Sequence, residues 1–423
     1  MLPSPQGPHV LPLSAMVLLP THQFSLTHTA RVSLHRPAVI ALCFFVSLSL
    51  LGWHFYTPSA GVFLPSPGLS AALLRFWSAT GGGDLDGVTH YEKPLDFRIV
   101  ALVFYGRPTS VSILDCYLKR NLVSNGGLLD EVIFLARTNN MEHLQWLDTL
   151  VETSPSYRRH NLSFAEKDYQ SAYDVCENGT MYIKIDDDIV FIEDTAIPTI
   201  VQAKAAHPEY FVVSANVMNQ SSLSWIHHHL GVVKPYMPEL EPPVTESGAN
   251  VSRWRASHLP TWTGPPEFKI GDEFEAPFKG HRWLPLPANS SIDGTPIYTT
   301  TYDAFSPGLW HWTIATQEHY SFFEHLENNE SWRYKFNVWD YNYMRMGMQF
   351  IAIWGDDVIA SKPMDRDDEY YLTEVTTARL KRHAVVGGRA LVAHYSFMPQ
   401  KDGIAATDVL DRYRAYVVES ICR

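Results

Sequence analysis

The stretch YIKIDDDIVFIED, residues 182–194, decides how the rest of the chain is read. Two apolar segments, YIKI and IVFI, flank three consecutive aspartates, Asp186, Asp187 and Asp188. Short runs rich in β-branched and aromatic residues point to buried strands. A merely solvated acidic turn needs neither flank, so the charges stand where a strand leaves a core. In extended backbone alternate side chains share a face, which puts Asp186 and Asp188 together and turns Asp187 away. Two carboxylates on one face suit a hard divalent cation, Mn²⁺ or Mg²⁺. Such an ion would in turn neutralise a diphosphate.

Upstream, FRIVALVFYGR (97–107) and LDEVIFLART (129–138) read as strands. Helical spacing follows each of them. Val111, Leu114, Leu118 and Leu122 form the first stripe, with Thr109 as its N-cap, and Leu144, Leu147 and Val151 form the second. A short strand is expected at 161–164, a helix at 169–177, a strand at 180–185, a helix at 195–206 and a strand at 209–215. Strand and helix alternate, which predicts an α/β fold with a mainly parallel sheet and helices on both faces. Ligands of such sheets bind beyond the carboxyl ends of the strands, where the aspartates stand.

From 236 to 312 the alternation fails. Prolines crowd this region, and Trp254, Trp262, Trp283, Trp310 and Trp312 are scattered through it. Most of these are expected in the core, given the area each buries. Further on, helices are expected near 314–325 and 340–347, a strand at MQFIAIW (348–354), and an amphipathic helix at 407–420.

The N-terminal end predicts a membrane anchor. Residues 37–56, PAVIALCFFVSLSLLGWHFY, carry no charge and are long enough to span a bilayer. Arg31 and Arg36 precede them, and the first acid in the chain is Asp84; this charge bias keeps the N-terminal flank cytoplasmic. The predicted organisation is a cytoplasmic tail (1–37), a single transmembrane helix (38–56), a stem rich in Pro, Gly, Ser and Ala (57–94), and a catalytic domain (95–423). Sequons at Asn161, Asn178, Asn219, Asn250, Asn289 and Asn329 agree with a lumenal domain. Beyond the span, Cys116, Cys176 and Cys422 allow at most one internal disulfide. A net charge of -12 argues against a nucleic-acid partner.

The order of elements from Phe97, with IDDDI after the fourth strand, resembles the nucleotide-sugar-dependent glycosyltransferases of GT-A fold. The anchor, stem and sequons are also how Golgi members of that group are arranged. The resemblance implies sugar transfer from a UDP- or GDP-sugar to a glycan or glycoconjugate acceptor, with Mn²⁺ or Mg²⁺ as cofactor, in the Golgi or endoplasmic reticulum membrane. It implies Asp186 on the ribose or the metal and Asp188 as a direct ligand. His394, at the end of the strand in RALVAHYSF (389–397), matches a further metal ligand. Arg107, in FYGR at the end of the first strand, and Asp187 fall on the nucleotide side. For Arg107 a plain salt bridge is the alternative. In FNVWDYNYMRMGMQF (336–350), Asp340 takes the place of the general base of inverting members, with Asp356 and Asp357 as runners-up. Two other functions use the same features: a sugar nucleotidyltransferase, and a membrane-tethered glycan-binding protein without catalysis. The run HHH at 227–229 does not make a zinc site, because adjacent residues do not converge on one ion.

Overall fold

A computed structural model describes residues 91–162, 170–243, 254–364 and 367–422. The predicted tail, the span at 38–56, nearly all of the stem and the sequon at Asn250 lie outside the described residues. Among the described residues, no helix is long and apolar enough to cross a membrane.

The first half follows the alternation. Strand β1 (Arg98–Tyr105) leads into α1 (Pro108–Arg120), β2 (Glu131–Ala136) into α2 (Met141–Val151), and β3 (Tyr157–Asn161) follows. Then come β4 (Thr180–Asp186), β5 (Ile189–Ile192), α3 (Ala196–Ala206), β6 (Tyr210–Met218) and α4 (Ser221–His229). Among the described residues, the irregular stretch holds the short pair β7 (Tyr236–Pro238) and β8 (Trp283–Pro285), two 3-10 turns and a four-residue helix at Pro307–Trp310. Regular structure resumes with α5 (Trp312–Glu327), β9 (Val338–Asp340), β10 (Phe350–Trp354), β11 (His383–His394) and α6 (Val409–Ser420).

Nine strands form one sheet in the order β3-β2-β1-β4-β10-β6-β11-β5, with β9 also paired to β11. The run β3-β2-β1-β4 is parallel, as is β6 with β11. The pairs β4–β10, β10–β6, β11–β5 and β11–β9 are antiparallel. The sheet is therefore mixed rather than mainly parallel. Two residues, Asp187 and Asp188, separate β4 from β5, too few for the crossover that a parallel neighbour requires. β10 enters between β4 and β6 from a distant part of the chain, and periodicity carries no information about its direction.

Four local expectations need correction. The third strand lies at Tyr157–Asn161, earlier than read, with its register to β2 set by Val132 opposite Tyr157. Only a single 3-10 turn, Gln170–Tyr173, occurs where a helix was expected. Arg107, not Thr109, caps α1, because Pro108 occupies the first helical position and suits it. No helix forms at 340–347: Asp340 ends β9, and Asn342 and Tyr343 take left-handed backbone (φ 49 and 63) that breaks any helix.

The core is continuous through the sheet, from Ile99–Val103 of β1 to Leu391–Ala393 of β11. Trp254 and Trp283 are buried, whereas Trp310 is exposed. A disulfide joins Cys116 of α1 to Cys422 just beyond α6, and Cys176 is free and buried.

Candidate metal and nucleotide site

The carboxyl ends of β1, β4, β6 and β11 reach one edge of the sheet, and the chemistry collects there. Phe104 of β1 stands opposite Asp186 of β4, so Gly106 and Arg107 leave the sheet beside the aspartates. Met218 of β6 stands opposite Ala393 of β11, which puts Asn219 and His394 side by side. Backbone bonds fix the aspartates. The Asp186 N–H donates to the Gln349 carbonyl (2.9 Å), and the Tyr395 N–H donates to the Asp188 carbonyl (2.8 Å). Ligand atoms of Asp186, Asp188 and His394 then lie within 4.8 Å of one another.

Asp187 lies in the turn after β4 and points to the end of β1. Its Oδ2 accepts the N–H groups of Gly106 and Arg107, both at 2.7 Å, and its Oδ1 accepts Nε and Nη2 of Arg107. Both oxygens are thus committed to the turn after β1, and Asp187 locks that turn to β4. Arg107 also reaches Asp188, with Nη1 at 2.9 Å from Oδ2. The salt-bridge reading of Arg107 is the arrangement found here.

Asp188 is 1% exposed. His394 Nε2 lies 3.1 Å from Oδ1, yet neither Asp188 oxygen has a hydrogen-bond partner of good geometry. A buried carboxylate held by ion pairs, with its lone pairs not taken by directed donors, fits a cation ligand. Burial would raise its pKa, but His394 and Arg107 outweigh burial and hold it at about 2. Burial would lower His394, and the Asp188 carboxylate raises it instead. His394 Nδ1 is 3.4 Å from the Asn219 carbonyl. That contact favours a proton on Nδ1 and leaves Nε2 facing the carboxylates, an orientation expected of a metal-binding imidazole.

Several groups at this edge escaped the sequence reading. Asn219 was read only as a sequon; it is fully buried, and its Nδ2 donates to the carbonyls of His394 and Tyr395 and to Gln400 Oε1. Lys184, hidden in the apolar run YIKI, bonds Asp186 and the Met348 carbonyl. A lysine inside the apolar run YIKI is a legible signal for a buried anionic partner. Asp368 accepts from Tyr173, while Glu369 accepts from Arg345 and the Met348 N–H. Burial, foremost, raises the pKa of both acids.

Asp340 does not join this cluster. It stands opposite Val385 of β11, which pairs with Val213 of β6, whereas Ala393 pairs with Met218. Five residues of β6 separate those levels, roughly 17 Å at the rise of a strand. Its carboxylate instead meets His383 at 2.7 Å. Asp357 is bound by Arg382 and Lys204, and Asp356 caps the Gly179 N–H. The histidine run lies on α4, where His227 is buried against Asn216 and His229 stacks on Trp225. Among the described residues, Asp186, Asp188 and His394 are the group that could hold a metal ion.

No protein-family model matches the chain, and no curated protein does. Among solved structures, it is similar to GalNAc-T7 with UDP, GalNAc and Mn²⁺, at 12% identity and a TM-score of 0.39, over 84% of this chain and 57% of that one. It is also similar to glucosyl-3-phosphoglycerate synthase from Mycobacterium tuberculosis with Mn²⁺, UDP and glucosyl-3-phosphoglycerate, at 10% identity and 0.24, over 34% and 57%. A third likeness is to 4-diphosphocytidyl-2C-methyl-D-erythritol synthase from Anaerococcus prevotii, at 12% identity and 0.24, over 29% and 56%. The chain spans under two thirds of each of these. They assign no family.

Proposed function

We propose that the protein is a divalent-cation-dependent glycosyltransferase of GT-A type, taking its sugar from a UDP- or GDP-sugar. The observation that carries this reading is the convergence of Asp186, Asp188 and His394 at the carboxyl edge of the sheet. Asp188, Asp186 and His394 Nε2 would hold the ion, Mn²⁺ by preference because a nitrogen joins the oxygens. When bound, the ion supplies electrostatic stabilisation of a departing diphosphate. Lys184 balances Asp186, Asn219 holds the end of β11 and the His394 ring, and Asp187 fixes Gly106 and Arg107 at the mouth of the site.

A cavity of about 200 Å³, lined by Ser222, Tyr302, Phe305, Tyr341, Met344 and Arg345, supports a glycan or glycoconjugate acceptor. Flat aromatic faces suit the C–H faces of a pyranose. Ser222 of its lining bonds Tyr341 and Gln220, and Gln220 directly follows Asn219 in the chain. Asp340 stands apart from the metal cluster and pairs with His383, while the next residue, Tyr341, lines this cavity. A secretory-pathway location, Golgi or endoplasmic reticulum membrane through the span at 38–56, is part of the same reading. The Cys116–Cys422 disulfide and the exposed Asn161, Asn178, Asn289 and Asn329 support it.

The test is calorimetric titration of the full chain with UDP and GDP, with and without Mn²⁺. Metal-dependent binding of one nucleotide, lost in Asp188→Asn, is expected. No binding of either by folded protein would refute the reading, and a preference for a nucleoside triphosphate would favour nucleotidyl transfer.

A further inference from the structure

Arg107 and a divalent cation have a claim on the same carboxylate. The guanidinium holds Asp187 through Nε and Nη2, on one oxygen, and reaches Asp188 Oδ2 through Nη1 at 2.9 Å. Because Nε and Nη2 share one oxygen, the planar guanidinium can pivot about Asp187 Oδ1 and open the contact with Asp188 while keeping Asp187. Asp187 cannot follow, because Gly106 and Arg107 N–H groups hold its other oxygen to the backbone. The Arg107 side chain is 40% exposed, against 4% and 1% for Asp187 and Asp188, so the arginine is the partner with room to move.

We infer that Arg107 competes with the cation for Asp188, and thereby couples cation binding to binding of a nucleoside diphosphate. The inference rests on the metal assignment proposed above. The charges explain the coupling. Asp186, Asp187 and Asp188 bring three negative charges, and Lys184 and Arg107 bring two positive ones. A dication alone must face the guanidinium, which already occupies Asp188. Once it is bound, a diphosphate satisfies both the ion and an Arg107 released from Asp188. Guanidinium forks match phosphate oxygens as well as carboxylates. Removing the arginine charge should therefore strengthen cation binding in the absence of nucleotide, the opposite of what a residue that merely supports the site would do.

The experiment measures Mn²⁺ binding to the full chain by the electron paramagnetic resonance of the free ion, with and without UDP. Arg107→Gln is expected to bind Mn²⁺ alone about tenfold tighter than the wild type or more, equivalent to about 1.4 kcal/mol. UDP should tighten Mn²⁺ less in that variant than in the wild type. Arg107→Lys keeps a charge on Asp187 but cannot span both carboxylates, and should fall between them. Melting temperatures establish that each variant is folded, and if the glutamine variant does not fold, the lysine variant decides. A folded variant that binds Mn²⁺ no tighter than the wild type overturns the inference and leaves the metal site standing. If wild type and variants alike fail to bind Mn²⁺, or if Asp188→Asn binds it equally well, the metal assignment fails and takes the inference with it.

Discussion

Asn219 permits a direct test of what holds the candidate site together. It lies in an N-Q-S sequon, yet it is fully buried and its Nδ2 donates at 3.0–3.1 Å to the His394 and Tyr395 carbonyls and to Gln400. Its backbone is left-handed, with φ 59. Asn219→Ala takes its donor from the buried His394 carbonyl, at about 1–3 kcal/mol, whereas the Tyr395 carbonyl keeps His319 Nε2 at 3.0 Å. A Cβ without a compensating polar group in left-handed backbone adds about 1–2 kcal/mol. The loss should therefore be at least about 2 kcal/mol, a large share of the roughly 5–15 kcal/mol of a typical domain. Asn219→Gly escapes the backbone penalty and should be less harmful by about 1–2 kcal/mol. Ser221→Ala abolishes the sequon but leaves Asn219 in place. It removes only the bond from Ser221 Oγ to the Ala304 carbonyl (2.7 Å), worth about 1 kcal/mol. Urea unfolding of the three variants beside the wild type gives these differences from the midpoints at constant slope. A loss below about 1 kcal/mol for Asn219→Ala, or equal losses for Asn219→Ala and Ser221→Ala, would refute the argument.

Glu318 lies buried in α5, and burial raises its pKa from 4.5 to about 8, with Ser224 and the Asn219 N–H opposing. Its contribution is complete below the unfolded pKa near 4.5 and is lost as pH rises towards 8, on the order of 5 kcal/mol. Glu318→Gln should abolish that decline in a series of unfolding curves from pH 5 to 8, and parallel pH profiles would count against it. Peptide mapping after enzymatic deglycosylation in ¹⁸O water should mark Asn161, Asn178, Asn289 and Asn329 in chain made through a secretory route, and leave Asn219 unmarked. Marking of Asn219 in folded protein would contradict its burial, and marking of none would contradict the lumenal placement. Asp340→Asn should leave Mn²⁺ and UDP binding unchanged and cost less than about 1 kcal/mol, because its pairing with His383 is partly exposed; a tenfold loss of UDP binding would return Asp340 to the site.

The local elements and the acidic half of the site are legible in the order of residues. Periodicity is a local property, so β1, α1, β2, α2, β4, α3 and β6 could be read from the spacing of apolar residues. Strand alternation predicts Asp186 and Asp188 together and Asp187 apart, and that division holds although Asp187 and Asp188 lie in the turn after β4. Cysteine number limited the disulfides to one. The tertiary structure decided what depends on long-range pairing. It inserted β10 antiparallel between β4 and β6, which no periodicity encodes. It carried β11 beside β6 so that His394 meets Asp188, and it used Asn219 to fasten that junction, although in sequence Asn219 was indistinguishable from the exposed sequons. The same register placed Asp340 near the opposite end of β11, where a motif spaced correctly along the chain has no access to the cluster. Side-chain period follows from the backbone of one strand, whereas strand order and direction follow from which distant apolar faces bury one another.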